Sequence, residues 1–217
     1  YFNKIKNCKL AKKTKTKQKQ FKPNIILKYK KTDQTHFILG VRTFSLFDKR
    51  NPTLLVLSAI LGIGMSSRLF TKLRQEMGVA YYVKASNDAS LDYGSFQIIA
   101  GVNNNRILEV IRQIIIECNL LKEELVTSAE LNKAKSFLIG NIKLSLEATD
   151  DIANFYGMQE LMHKEIKTLP EKIREIKNVS AKDIQKVAKI IFQDKKLNLA
   201  IVGPIKNKKD ISRILTF

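Results

Sequence analysis

The chain has 217 residues, 44% of them apolar and none of them tryptophan, which is enough for one large domain or two small ones. No uninterrupted apolar run reaches the length needed to span a bilayer and no secretory signal is visible at the N-terminus, so no membrane span is expected in these residues and the cytoplasm is the expected compartment. The net charge is +19, and from Tyr1 to Thr32 lysines occur without a single Asp or Glu.

Two readings of that basic stretch compete. A nucleic-acid or acidic-membrane tether would use the charge directly. A solvated linker needs nothing but solubility. Lysine dominates over arginine, and no aromatic residues interleave it as in a stacking platform, so the linker reading is preferred and no nucleic acid is expected. Cys8 and Cys118 are the only cysteines; they form neither a disulfide framework nor a metal-ligand spacing, which favours a reducing compartment.

Residues 9–22 have no apolar period and read as exposed linker. Strands are predicted over Ile25–Lys30 and His36–Phe44 from their branched and aromatic residues. A helix follows, with Asn51 as its cap, Pro52 in its first turn, and Leu54, Leu55, Leu57, Ile60 and Leu61 as its buried face. Gly62 and Gly64 interrupt it and supply backbone freedom; they do not form a phosphate loop. Ser66 or Ser67 then caps a second helix that runs to about Glu76, with Gly78 just beyond. Val79–Ala85 and Ser95–Gly101 read as a hairpin.

After Asn103 the pattern turns helical. Ile107, Leu108, Val110, Ile111, Ile114, Ile115 and Cys118 form one apolar stripe. Thr127 and Glu130 suit a capping box for a helix through Leu131, Ala134, Phe137, Leu138 and Ile142. Further helices are predicted over Ile152–His163, from Thr168-Leu169-Pro170, and after a Ser180–Asp183 cap. Leu197–Val202 reads as a last strand before a short terminal helix. The order defines an α+β fold, a mixed or antiparallel sheet with helices packed mainly on one face.

The most informative run is Gly62-Ile63-Gly64-Met65-Ser66-Ser67-Arg68-Leu69-Phe70-Thr71-Lys72-Leu73-Arg74-Gln75-Glu76-Met77-Gly78-Val79-Ala80-Tyr81. It places Arg74 at the end of a helix and Tyr81 on the strand that follows, so a guanidinium and a phenol are offered from two rigid elements joined by a tight turn. Both groups can donate hydrogen bonds to a developing oxyanion. Taken locally, Arg74 is equally a cation at the negative end of a helix dipole and Tyr81 a half-buried strand aromatic.

This run resembles the signature of the C-terminal half of the pitrilysin/insulinase family of zinc peptidases, to which mitochondrial processing peptidase belongs. Gln34–Gly40, Leu54–Gly62, the Glu130–Ala134 helix start and Leu197–Pro204 are similar to other family segments and fall in the expected order, so the resemblance runs from about residue 22 to the end. It implies a metallohydrolase half-domain over residues 23–217, incomplete at its N-terminal end, with residues 1–22 as a basic linker and remnant of a preceding helix. It implies that Arg74 and Tyr81 act catalytically, holding substrate and stabilising its tetrahedral intermediate, and that Arg68 and Gly78 contact substrate. Arg68 also suits a structural role.

The resemblance further implies zinc in the intact protein, held by a His-x-x-Glu-His helix and a downstream Glu in an N-terminal half, the partner of this one in the same chain or as a separate subunit. The two halves would close on a peptide, and the edge of the sheet can extend the substrate strand. This chain has only His36 and His163, neither in that motif, so no metal is expected to bind here. Three functions stay open: the C-terminal part of a metallopeptidase, which is preferred; an inactive relative that binds peptide or scaffolds a partner; and a basic nucleic-acid or membrane-surface binder, whose binding would fall steeply with salt.

Overall fold

In the computed structural model the described residues are 14–16, 19–162 and 165–217. Most of the predicted basic linker, Cys8 and His163 therefore lie outside the described residues. Strands β1 (Asn24–Tyr29), β2 (Gln34–Thr43), β3 (Ala80–Ala89), β4 (Gly94–Asn103) and β5 (Leu197–Gly203) form one five-stranded sheet in the order β1-β5-β2-β4-β3. β1 runs parallel to β5; the other neighbours are antiparallel. The alternation of the sequence is the reason one face is dry: Phe37, Leu39 and Val41 on β2 and Phe96, Ile98, Ala100 and Val102 on β4 are buried, while His36 and Ile38 point outward.

Helix α1 (Asn51–Gly62) packs on β3, α2 (Ile107–Glu123) on β4, α6 (Ala181–Ile191) on β2 and α7 (Lys208–Ile214) on β1. Helix α3 (Ser128–Leu144) lies against α1, and α5 (Leu169–Asn178) touches both; α4 (Thr149–Met162) buries only Gln159. The architecture is the α+β class predicted, with a mixed sheet.

Three local expectations are corrected. Asn51 does not cap α1: it sits inside the first turn, and its amide donates to the Ser45 and Leu46 carbonyls at 2.9 Å, tying the β2–α1 loop to the helix. Ser67 stands at the cap position of the next helix, its carbonyl accepting from the Thr71 amide at 3.0 Å, but its recorded hydroxyl bond runs back to the Gly64 carbonyl at 2.8 Å and not into the helix. The Thr127–Glu130 box is half formed: Thr127 accepts from the Glu130 amide, but the Glu130 carboxylate turns elsewhere.

The boxes at α5 and α6 are complete. At α6 the Asp183 carboxylate accepts from the Ser180 hydroxyl and amide, and those bonds hold its pKa below the ordinary aspartate range. A depressed carboxylate stabilises the fold above its unfolded pKa, and the contribution is lost as pH falls through the folded value. Ser180→Ala is expected to cost about 1 kcal/mol in urea unfolding at pH 7. The same variant should flatten the decline in stability between about pH 5 and pH 3, where unfolded aspartates titrate.

Candidate functional site

The segment after α1 is helical from Arg68, but from Phe70 to Glu76 it widens into a π-helix. The Met77 amide reaches back five residues to the Lys72 carbonyl at 3.0 Å. Leu69 and Leu73 are fully buried and seat the segment on the core. Gly78 has φ +61°, and a Cβ there would meet nothing within 4 Å, so backbone conformation rather than space demands glycine. The Val79 amide then bonds the Leu73 carbonyl at 3.0 Å, and the chain enters β3. Gly78→Ala is expected to cost about 1–2 kcal/mol, the penalty of a left-handed L-residue, and Gly78→Asn less, read as the shift in urea midpoint.

A β-bulge lies between Ala80 and Tyr82 where β3 pairs with β4. It decides where Tyr81 points. In a regular strand Tyr81 would share a face with buried Val83. The extra residue lets Ala80 and Val83 both turn inward, leaving Tyr81 50% and Tyr82 42% exposed.

Arg74 leaves the last turn of the π-helix and folds over the start of β3. Its Nη1 donates to the Tyr81 carbonyl and, at 3.4 Å, to the Ala80 carbonyl, and its guanidinium carbon lies 5.9 Å from the centre of the Phe70 ring. Among the described residues no carboxylate pairs with it. The structure thus brings Arg74, Gly78 and Tyr81 together on one exposed ridge at the sheet edge. A guanidinium has five N–H donors, and only Nη1 bonds these carbonyls, so other donors are left for a ligand.

Arg68 is not part of this ridge. Its Nε and Nη2 donate to the two Glu130 oxygens at 2.6 and 2.9 Å, and its Nη1 lies 3.8 Å from Glu117. The bond to Glu130 outweighs burial and raises the Arg68 pKa, so the cation faces α2 and α3. A pair that the sequence did not point to lies beside the ridge: the Tyr82 hydroxyl and His36 Nδ1 are 3.1 Å apart, with the rings stacked across Gly101. The cross-strand register His36–Gly101–Tyr82, with a glycine between two rings, is the signal that would have found it.

These residues do not fit a zinc site. Among the described residues no group of three or more His, Cys, Asp and Glu could hold a metal ion. Burial pushes the Cys118 thiol far up, away from the thiolate that a metal needs. No helix of the described residues is long and apolar enough to cross a membrane.

The fold is a mixed sheet layered with helices, and a helix–glycine–strand unit presents an arginine and a tyrosine at the sheet edge. The model of the family described as the peptidase M16 inactive domain matches residues 1–138, and the chain belongs to that family. An uncharacterized zinc protease of Streptomyces coelicolor is 32% identical over 83% of this chain and 39% of its own length. An uncharacterized zinc protease of Bacillus subtilis is 31% identical over 87% of this chain and 46% of its own. In fold, the chain is similar to a protease from Helicobacter pylori, with a TM-score of 0.82 and 24% identity, over 93% of this chain and 49% of that one. The peptidase M16 inactive domain from Pseudomonas fluorescens superposes with a TM-score of 0.79 at 19% identity, over 91% of this chain and 47% of that one. The chain spans half or less of the length of the curated relatives it matches.

Proposed function

We propose that this chain is the C-terminal half of a zinc-dependent endopeptidase acting on peptides or unfolded segments, and that it does not hydrolyse peptides by itself. The zinc, the water and the general base belong in this reading to an N-terminal half, in the same chain or a partner subunit, and the cytoplasm is the proposed compartment. The observation that carries it is the ridge: an Arg74 guanidinium, paired with no carboxylate among the described residues, laid over the peptide of Tyr81, whose ring the bulge turns outward. When the halves close, both side chains donate to the oxyanion that forms from the scissile carbonyl. The Gly78 turn borders the substrate, and β3, the free edge strand of the sheet, extends it by backbone pairing.

The test is hydrolysis of an unfolded protein such as reduced casein. This chain alone should show none, and the protein carrying both halves should cleave it and lose activity to a zinc chelator. Cleavage by this chain alone would overturn the division of labour. A second reading, a non-catalytic subunit that binds peptide or scaffolds a partner, draws on the description of the matching family as an inactive domain. Peptide binding with no turnover by the two-half protein would favour it.

A further inference from the structure

We infer that Arg68 is a positioning residue for Arg74, and that Glu130 and Glu117 act through it. This inference rests on the reading of Arg74 as a functional group. Three observations on different elements carry it.

The first is how the Arg74 segment is seated. Its fully buried anchors are Leu69 and Leu73, four residues apart, with Phe70 and Met77 partly buried beside them; such apolar contacts choose a face of the helix without a directional bond to set its roll. Arg68 adds an anchor at the N-terminal end, a two-pronged bond to Glu130. A planar fork on a carboxylate fixes direction as well as distance, which apolar contact does not.

The second is a local contradiction on α3. Three helices carry an acid three residues after a Thr or Ser cap. In α5 Glu171 returns to the Thr168 amide at 2.7 Å, and in α6 Asp183 returns to the Ser180 amide at 3.0 Å. In α3 the equivalent Glu130 makes its recorded side-chain bonds to Arg68 instead. The box that is incomplete is the one beside Arg68, so local capping has given way to a long-range contact.

The third is Glu117 on α2, only 8% exposed. Gln113 donates to one of its oxygens at 3.0 Å, and Arg68 stands 3.8 Å from the other. A buried carboxylate is retained when a cation and hydrogen bonds face it. Arg68 thus joins α2 and α3 to the segment that ends in Arg74. With roll blocked at one end and the π-turn closed by the Met77 and Val79 amides at the other, the guanidinium of Arg74 is directed over the Tyr81 peptide.

The experiment compares Arg68→Ala, Glu130→Gln and the double variant of this chain by two-dimensional NMR of arginine side chains and by amide exchange, with Leu199→Ala as a core-destabilised control. The Arg74 Nε signal, assigned with Arg74→Lys, should move toward the position of free arginine in both single variants. Exchange at the Met77 and Val79 amides should quicken about tenfold or more relative to the β5 amides. The double variant should do no more than Arg68→Ala alone, since Glu130 acts through Arg68. Leu199→Ala should leave the Arg74 signal in place. An unmoved Arg74 signal in folded Arg68→Ala, or movement equal to that in Leu199→Ala, would overturn the inference. In the two-half protein, kcat for casein should fall in Arg68→Ala with KM little changed. A moved signal with full activity keeps the positioning role and defeats the catalytic reading of Arg74 instead.

Discussion

Arg74→Ala in the protein carrying both halves is expected to lower kcat about 10²–10³-fold, the usual cost of removing one donor to an oxyanion. Zinc content should stay unchanged. The reasoning follows from placement: Arg74 is exposed and pairs with no carboxylate among the described residues, so what its removal takes away is a donor at the ridge. Tyr81→Phe should lower kcat by a similar factor through loss of one hydroxyl, because the bulge, not the hydroxyl, turns the ring outward. Arg74→Lys should recover little: an ammonium that takes over the Ala80 and Tyr81 carbonyls has one donor left and lacks the planar fork of a guanidinium. Metal analysis beside steady-state kinetics checks this. Loss of zinc in either variant, or turnover within a factor of two of the parent, would remove both residues from the site.

Gly62→Ala is expected to be the most damaging small change in the scaffold. A Cβ at residue 62 would lie 2.5 Å from the Ala85 nitrogen and 2.7 Å from the Ala85 Cβ, so the end of α1 rests directly on the backbone of β3. Relief requires the helix to move off the sheet, and α1 is wholly buried along Leu54, Leu57, Ile60 and Leu61. The cost should reach the upper end of the ~1–3 kcal/mol typical of overpacking, a drop in Tm of about 6–12 °C for a chain of this size. Ala85→Gly should not rescue it, because the closer contact is with the nitrogen and remains. Rescue by Ala85→Gly would mean that side-chain volume, not backbone approach, demands the glycine.

Much of the scaffold was legible because it rests on periodicity. The β2 alternation, the α2 stripe and the α6 cap each concern residues a few positions apart, and each predicted strand and helix is present within a few residues. Gly78 was legible for the same reason, since a glycine after a helix announces a left-handed cap. Gly62 was placed correctly, but as a source of backbone freedom. Its φ is not positive; the approach of Ala85, a neighbour in space and not in sequence, is what excludes a side chain.

The site divides along the same line. Arg74 and Tyr81 could be singled out from the order helix, glycine, strand, and the family resemblance that this order carries is borne out by the match to the M16 inactive domain. Three features that aim them were hidden: the π-turn, the bulge at Tyr81, and the diversion of Glu130 from its own helix cap to Arg68. The last two are compromises between a local preference and a partner distant in the chain. Where the sequence suggests an α-turn the chain makes a π-turn, strand alternation gives way to the register with β4, and a capping box gives way to an ion pair across helices. The set of elements, their order and the family therefore follow from patterns local in the chain. The tertiary structure decided which way the side chains of those elements face, because facing is settled by contacts between residues far apart in the chain.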